Sequence, residues 1–213
     1  MKITKFGHCC LLIEEGDIRI LTDPGNYTEI PHVENIDVIL ISHEHGDHID
    51  ADTLKSLLTD NPTAQIITHE GVGRVLDEAG IAYTLIHDAE TQTIKGIDIT
   101  SYGTEHACVY HDLPVVQNTG FLIAKKLFFP GDSFFMPSEK VEILALPVAA
   151  PWLKLEESID YAKKVAPKVV FPIHDGMLRQ DHRITPTRKI PQAILDPLDI
   201  EYRDMGEGSV EEF

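Results

Sequence analysis

Cysteine is scarce, cations are outnumbered, and no apolar run is long enough to cross a bilayer; each shortage removes a class of protein. Three Cys occur among 213 residues, Cys9 and Cys10 side by side and Cys108 alone. That arrangement is no disulfide framework, and it fits a reducing compartment. Lys and Arg number 18 against 35 Asp and Glu, for a formal charge of -17. Nucleic acid is therefore not an expected partner, because a phosphate backbone demands a basic patch. The one modest basic cluster is Arg179, His182, Arg183, Arg188 and Lys189, which reads as solvated surface, with a hold on a small anionic substrate as the alternative. Without a membrane-length apolar segment, and with no apolar region or cleavage site in Met1–His8, the expected setting is cytoplasmic, with no membrane partner.

No polar linker, internal repeat or low-complexity tract divides the chain, so one domain is expected over residues 1–213. Apolar residues make up 43% of it, enough for one sizeable core. Association into a homo-oligomer stays open. Trp is nearly absent: Trp152 alone is present, read first as a packing residue and second as a pocket wall.

What is plentiful is histidine, at 11 positions, and its placement is uneven. Ser42-His43-Glu44-His45-Gly46-Asp47-His48 puts four metal-binding side chains within six residues, directly after the apolar run Val38–Ile41. A loop needing only solubility would use Lys, Glu and Ser rather than imidazoles that titrate near neutrality. Three more segments repeat the arrangement of an apolar strand followed at once by a donor, and they carry His106, Asp132 and His174.

Periodicity predicts strands at Ile3–Phe6, Cys10–Ile13, Ile18–Leu21 and Asp37–Ile41, with a hairpin turn at Glu15–Asp17. Asp50 is placed to cap a helix through Leu54, Leu57 and Leu58 that stops near Asn61-Pro62. A strand at Gln65–Thr68, a helix over Val72–Glu78 closed by Gly80, and a strand at Tyr83–Ile86 continue the alternation. Further β structure is expected over Thr91–Thr104, Asn118–Ala124, Lys126–Phe129, Val141–Leu146, Lys168–Pro172 and Ile200–Arg203. A helix is expected between Pro151 and Pro167, and a short one near Gln192–Leu195. The result is an α/β protein, in which strand ends lie along a common edge where loops converge into sites.

Five His and two Asp suffice for two divalent ions with open positions. Nitrogen and carboxylate donors suit zinc, and Mn, Fe or Ni are accepted by the same set. Two ions about 3.5–4 Å apart can share a hydroxide that attacks a carbonyl or phosphorus centre. Asp132, which follows a strong apolar strand through Gly131, is the candidate bridging carboxylate.

In this order, His43-x-His45-x-Asp47-His48, His106, Asp132 and His174 resemble the metallo-β-lactamase superfamily. The resemblance implies a four-layer αββα sandwich, with the metal site at the edge of the two sheets. It implies His43, His45 and His106 on one ion, Asp47, His48 and His174 on the other, and Asp132 between them. Asp47 and Asp132 are the catalytic candidates. The opening Lys2–Ile13, Leu21-Thr22-Asp23-Pro24-Gly25 and Phe171–Gly176 look like the compact metal-dependent hydrolases related to ascorbate-6-phosphate lactonase. The implied activity is cleavage of an ester, lactone or phosphodiester in a small molecule. A phosphodiesterase or nuclease of the same fold and a di-iron redox protein are the alternatives. Oxygen chemistry is disfavoured because His45 stands where flavodiiron-type proteins carry a carboxylate.

Four neighbours are weaker candidates for substrate contact or ligand support. His8 ends the first strand, and Asp23 is placed to orient a ligand imidazole or simply to form the turn before Pro24. His111 and Asn118, with Tyr110, flank His106 and are weighed against ordinary loop roles. Cys108 could serve the site but reads first as a plain thiol. His32, His69 and His87 read as ordinary surface or core residues.

Overall fold

Apolar runs that alternate with period two fold here as strands, and the strands assemble into two sheets facing one another. The computed structural model describes residues 1–178 and 186–213. In chain order the elements are β1 (Lys2–Gly7), β2 (Cys10–Glu15), β3 (Ile18–Thr22), β4 (Val38–Leu40), α1 (Ala51–Asp60), β5 (Gln65–Thr68), α2 (Glu70–Ala79) and β6 (Thr84–Leu85). There follow β7 (Thr91–Ile94), β8 (Ile97–Tyr102), β9 (Gly120–Ile123), β10 (Leu127–Phe129), β11 (Ile143–Pro147), α3 (Leu155–Val165), β12 (Val169–Ile173), α4 (Pro186–Leu195), β13 (Glu201–Tyr202) and β14 (Val210–Glu212). One sheet runs β14-β1-β2-β3-β4-β5-β6 and the other β13-β12-β11-β10-β9-β8-β7. Both are mixed: β3, β4, β5 and β6 pair in parallel, as do β10, β11, β12 and β13.

The alternation of side chains divides the apolar residues among three cores. Leu11, Ile13, Val38 and Leu40 of the first sheet meet Phe121, Ile123, Phe129 and Phe171 of the second between the sheets. Their sequence neighbours Leu12, Ile39 and Ile41 point the other way, onto Leu54 and Leu57 of α1 and Val72 and Leu76 of α2. Leu122, Phe128, Leu144 and Val170 do the same on the far side, under Ile159 and Ala162 of α3. Strands buried on both faces read as continuous apolar runs for this reason. The layers are thus α, β, β and α, as the metal-site motif implied.

Several boundaries differ from expectation. The Thr91–Thr104 stretch is broken by a turn at Lys95-Gly96, both with positive φ, into β7 and β8. The second helix starts two residues early, because His69 caps it: its Nδ1 accepts from Gly71 N at 3.0 Å. The helix expected only near Gln192–Leu195 begins at Pro186 and carries Pro191 inside it. An unexpected edge strand, β14, pairs antiparallel with β1. Among the described residues, no helix is long and apolar enough to cross a membrane.

Candidate metal centre

The donors converge because strands of both sheets end on one edge, and three of the residues there are bent into the left-handed region. His8 after β1, Asp23 after β3 and His174 after β12 have φ of 44°, 38° and 58°. Such conformations are costly for residues other than Gly and persist only where surrounding contacts hold them. Those contacts are present. His174 N donates to His8 O at 3.1 Å, joining the ends of β1 and β12 across the two sheets. Gly25 lets the turn after β3 press on the motif, since a Cβ there would lie 2.0 Å from Asp47 O and 2.4 Å from His48 N.

All seven predicted donors meet at this edge. Donor atoms of His43, His45 and His106 lie within 4.8 Å of one another, and so do those of Asp47, His48 and His174. Asp132 stands between the sets: His106 Nε2 is 3.3 Å from its Oδ2, His174 Nε2 is 2.9 Å from the same oxygen, and His48 Nε2 is 3.3 Å from Oδ1.

The hydrogen bonds on the outer side of each ring decide which nitrogen faces inward with a lone pair. His106 Nδ1 donates to Ala107 O and His174 Nδ1 to Ala149 O, each at 2.6 Å. His48 Nδ1 donates to Asp23 Oδ2 at 2.7 Å. The Ser42 hydroxyl spends its hydrogen on Asp23 Oδ2 at 2.6 Å, so it accepts from His43 Nδ1 at 3.0 Å. Four rings thereby turn Nε2 toward the centre, the outer-partner arrangement that fixes the tautomer of metal-binding imidazoles. Among the described residues, His48, His106 and His174 Nε2, together with Asp132 Oδ1, are buried without a hydrogen-bond partner. Orphaned polar atoms at this density are expensive unless something binds them, and a divalent cation fits the set.

His8 joins the second donor set by distance, but its chemistry differs. Gly176 N–H donates to His8 Nδ1 at 3.1 Å, which leaves the ring hydrogen on Nε2, 3.2 Å from Asp47 Oδ2. His8 therefore holds the Asp47 carboxylate rather than offering it a competing lone pair. Burial keeps the His8 imidazole below its usual range, in keeping with a neutral donor. Burial alone would raise Asp47, yet the His8 hydrogen bond and the charges of His48 and His174 bring it down to about 2. Burial likewise opposes charge on His48, but Asp132, Asp23 and Asp47 around it push it up to about 9, so a cation bound at Nε2 would have to displace the proton that these carboxylates otherwise hold there. Asp132 is held well below the usual carboxylate range by His48 and His174 against the cost of burial.

The remaining candidates separate. Asp23 accepts from Ser42 N, Ser42 Oγ and His48 Nδ1, all within 2.7 Å, and is a clamp behind the site. Asn118 is buried; its Nδ2 donates to Pro130 O and its Oδ1 accepts from Asp132 N, so it shapes the Asp132 turn from beneath. His111 and Tyr110 are exposed, with their rings tilted against one another, and line a cleft with Cys108 and Trp152 outside the donor cluster. Of the basic cluster, Arg179, His182 and Arg183 lie outside the described residues. Arg188 and Lys189 both pair with Asp204, at 2.6 and 2.8 Å.

Three more residues contribute: Trp152, read from the sequence first as packing and second as a pocket wall, and His69 and Lys5, which the sequence reading did not place at the site. Trp152 donates from Nε1 to Asp132 Oδ2 at 2.8 Å. His69 donates from Nε2 to Ser42 O at 2.9 Å, bracing the start of the motif. Lys5 is fully buried, with Nζ donating to Asp175 Oδ1 at 2.7 Å and Pro172 O at 2.8 Å beneath His174. Lys5 left a trace in the strand pattern: it shares the inward phase of β1 with Ile3 and Gly7.

A four-layer sandwich with a His/Asp cluster at the sheet edge defines the metallo-β-lactamase class of fold. The chain belongs to the beta-lactamase superfamily domain family, whose model matches residues 2–174. It is 36% identical over 189 residues to Protein Rv0786c of Mycobacterium tuberculosis, covering 86% of this chain and 88% of that one. It is 23% identical to a UPF0173 metal-dependent hydrolase of Methanocaldococcus jannaschii over 190 residues, 81% and 83% of the two chains. Among solved structures, a metallo-β-lactamase fold protein from Bacillus subtilis superposes with a TM-score of 0.74 at 17% identity, over 100% of this chain and 99% of that one. At that identity the likeness speaks for the fold alone.

Proposed function

We propose that this protein is a metal-dependent hydrolase of small molecules, acting through two divalent ions on an ester, lactone or phosphodiester. The observation that carries the reading is the convergence of buried, unpartnered Nε2 atoms of His48, His106 and His174 on Asp132. His43, His45 and His106 would hold one ion, Asp47, His48 and His174 the other, with Asp132 shared. Zinc suits these donors best, and Mn, Fe or Ni are the substitutes. Ions held there supply what the side chains lack: an acidified water as nucleophile and neutralisation of the oxyanion its attack creates.

The chain's own residues do the rest. Asp47 stays ionised; its Oδ2 faces His48 and His174 while accepting from His8, so the carboxylate would serve as a ligand held in place by His8 and would orient the attacking water. Asp23 and the carbonyls of Ala107 and Ala149 keep the imidazoles in the tautomer that ligation needs. The relative from Methanocaldococcus jannaschii is described as a metal-dependent hydrolase, which supports the reaction class. Three unpaired thiols, Cys9, Cys10 and Cys108, suit a cytoplasmic setting.

Elemental analysis of the purified protein, paired with a hydrolysis panel of lactones, phosphodiesters, thioesters and β-lactams, tests this. About two zinc equivalents and turnover of at least one class are expected. Iron with visible colour and no hydrolysis would favour the di-iron redox alternative instead. Preference for phosphodiesters over lactones would move the assignment to a phosphodiesterase.

A further inference from the structure

Between β8 and β9 the chain makes an irregular excursion that leaves aliphatic side chains facing outward beside the donors. Val109, Leu113 and Val115 are 45%, 55% and 49% exposed. They do not stand alone on the surface. With Val116 they wall a hollow of about 260 Å³ whose floor is His45 and His106, two of the three donors of the first set. Among the described residues, no Asp, Glu, Lys or Arg lines it, in a chain where charged residues make up 25% of the sequence. By contrast, a larger hollow of about 530 Å³ beside α1 is lined by Glu29, His32 and Asp60 and contains none of the seven donors.

The excursion is tied to the site at both ends. His106 N donates to Val116 O at 3.0 Å, closing the segment on itself, and Leu113 N donates to Tyr110 O within it. Ala107 N donates to Asp132 O at 2.8 Å, and Thr119 N to Ser42 O at 2.9 Å. The aliphatic wall is therefore registered on the backbone that presents Asp132 and His43. Exposed aliphatics held in a concave surface, continuous with a polar reacting centre, make the usual composition of a small-molecule pocket.

We propose that this hollow receives an uncharged alkyl or aryl arm of the substrate, whose scissile group lies against His43, His45 and His106. The substrate is accordingly a hydrophobic ester, lactone or phosphodiester rather than a compact polar one. This rests on the hydrolase reading for the position of the scissile group. The volume holds roughly six to nine methylene-sized groups. Each methylene buried there strengthens binding about fourfold, the equivalent of about 0.8 kcal/mol.

The test uses the zinc-loaded full chain with two straight-chain series from two to ten carbons: n-alkanoates measured by titration calorimetry, and p-nitrophenyl alkanoates measured by kcat/KM. The carboxylate of the first series anchors at the ions while its tail samples the hollow. Affinity should climb about fourfold per methylene and level off near eight carbons, with kcat/KM following. Val115→Asp and Leu113→Asp change exposed positions, so the fold, followed by circular dichroism, is retained while the gradient flattens. A calorimetric series that is flat in the wild type, or equally steep in both variants, overturns the proposal. Hydrolysis with no chain-length dependence would leave the hydrolase reading standing and remove the apolar arm. A steep calorimetric series without hydrolysis of any ester would do the reverse.

Discussion

The indole Nε1 of Trp152 donates to Asp132 Oδ2 at 2.8 Å, while the other oxygen of that carboxylate is buried with no hydrogen-bond partner among the described residues. The ring also sits edge-on to His106 and His174, with centroids 6.1 and 6.3 Å away. Trp152 thus orients the Asp132 carboxylate, holding the oxygen that faces His106 and His174 while the other faces His48. Trp152→Phe keeps the ring's bulk and removes the N–H. Zinc affinity should fall by about 10- to 100-fold, the range for partners that orient a ligand. Competition with a chelating dye measures it, and unchanged affinity would sink the role. As the sole Trp in the chain, Trp152 should also change its emission when zinc is added to the metal-free protein.

Asp132 lies between the two donor sets and should matter to both. Asp132→Ala is expected to lower kcat/KM by more than the roughly 100-fold that a supporting residue costs, with the secondary structure intact. His43→Ala should abolish turnover in the same way. Adding zinc at about a thousandfold over its Kd stabilises the wild type by about 4 kcal/mol. The Asp132→Ala melting temperature should respond to zinc much less. Full activity in either variant refutes the assignment.

Lys5 and Asp175 form a fully buried ion pair that supports the turn carrying His174. Removing one member of such a pair typically costs about 3–5 kcal/mol. Lys5→Met should lose stability of that order in urea unfolding and weaken zinc binding through His174. A loss below about 1 kcal/mol would mean the pair is not what fixes the turn.

Gly25 has no room for a side chain, because the backbone of Asp47 and His48 occupies the place of its Cβ. Gly25→Ala must push these two donors away. One zinc equivalent is expected to disappear on elemental analysis, while the set of His43, His45 and His106 keeps its own. Two equivalents in the variant would show that the backbone yields without moving the donors.

The donors were readable because each follows an apolar strand, and strand ends share an edge; His43, His106, Asp132 and His174 needed no further signal. The two inner faces were readable as well, since Val38–Ile41 and Ile143–Leu146 are apolar in both phases and must lie between layers. What escaped depends on tertiary partners. β14 is Val-Glu-Glu, with no alternation, and exists by pairing with β1. The C-terminal helix was hidden by Pro186 and Pro191. Lys5 reads as surface until Asp175 is placed against it, and His69 reads as filler until Ser42 O is within reach.

Asp23 receives Ser42, which steers His43, and His48, which belongs to the other donor set. One carboxylate therefore keeps both halves of the centre in register. Loss of Asp23 would loosen both donor sets together. The separable supports are those of His106 and His174, whose rings hang on the independent carbonyls of Ala107 and Ala149.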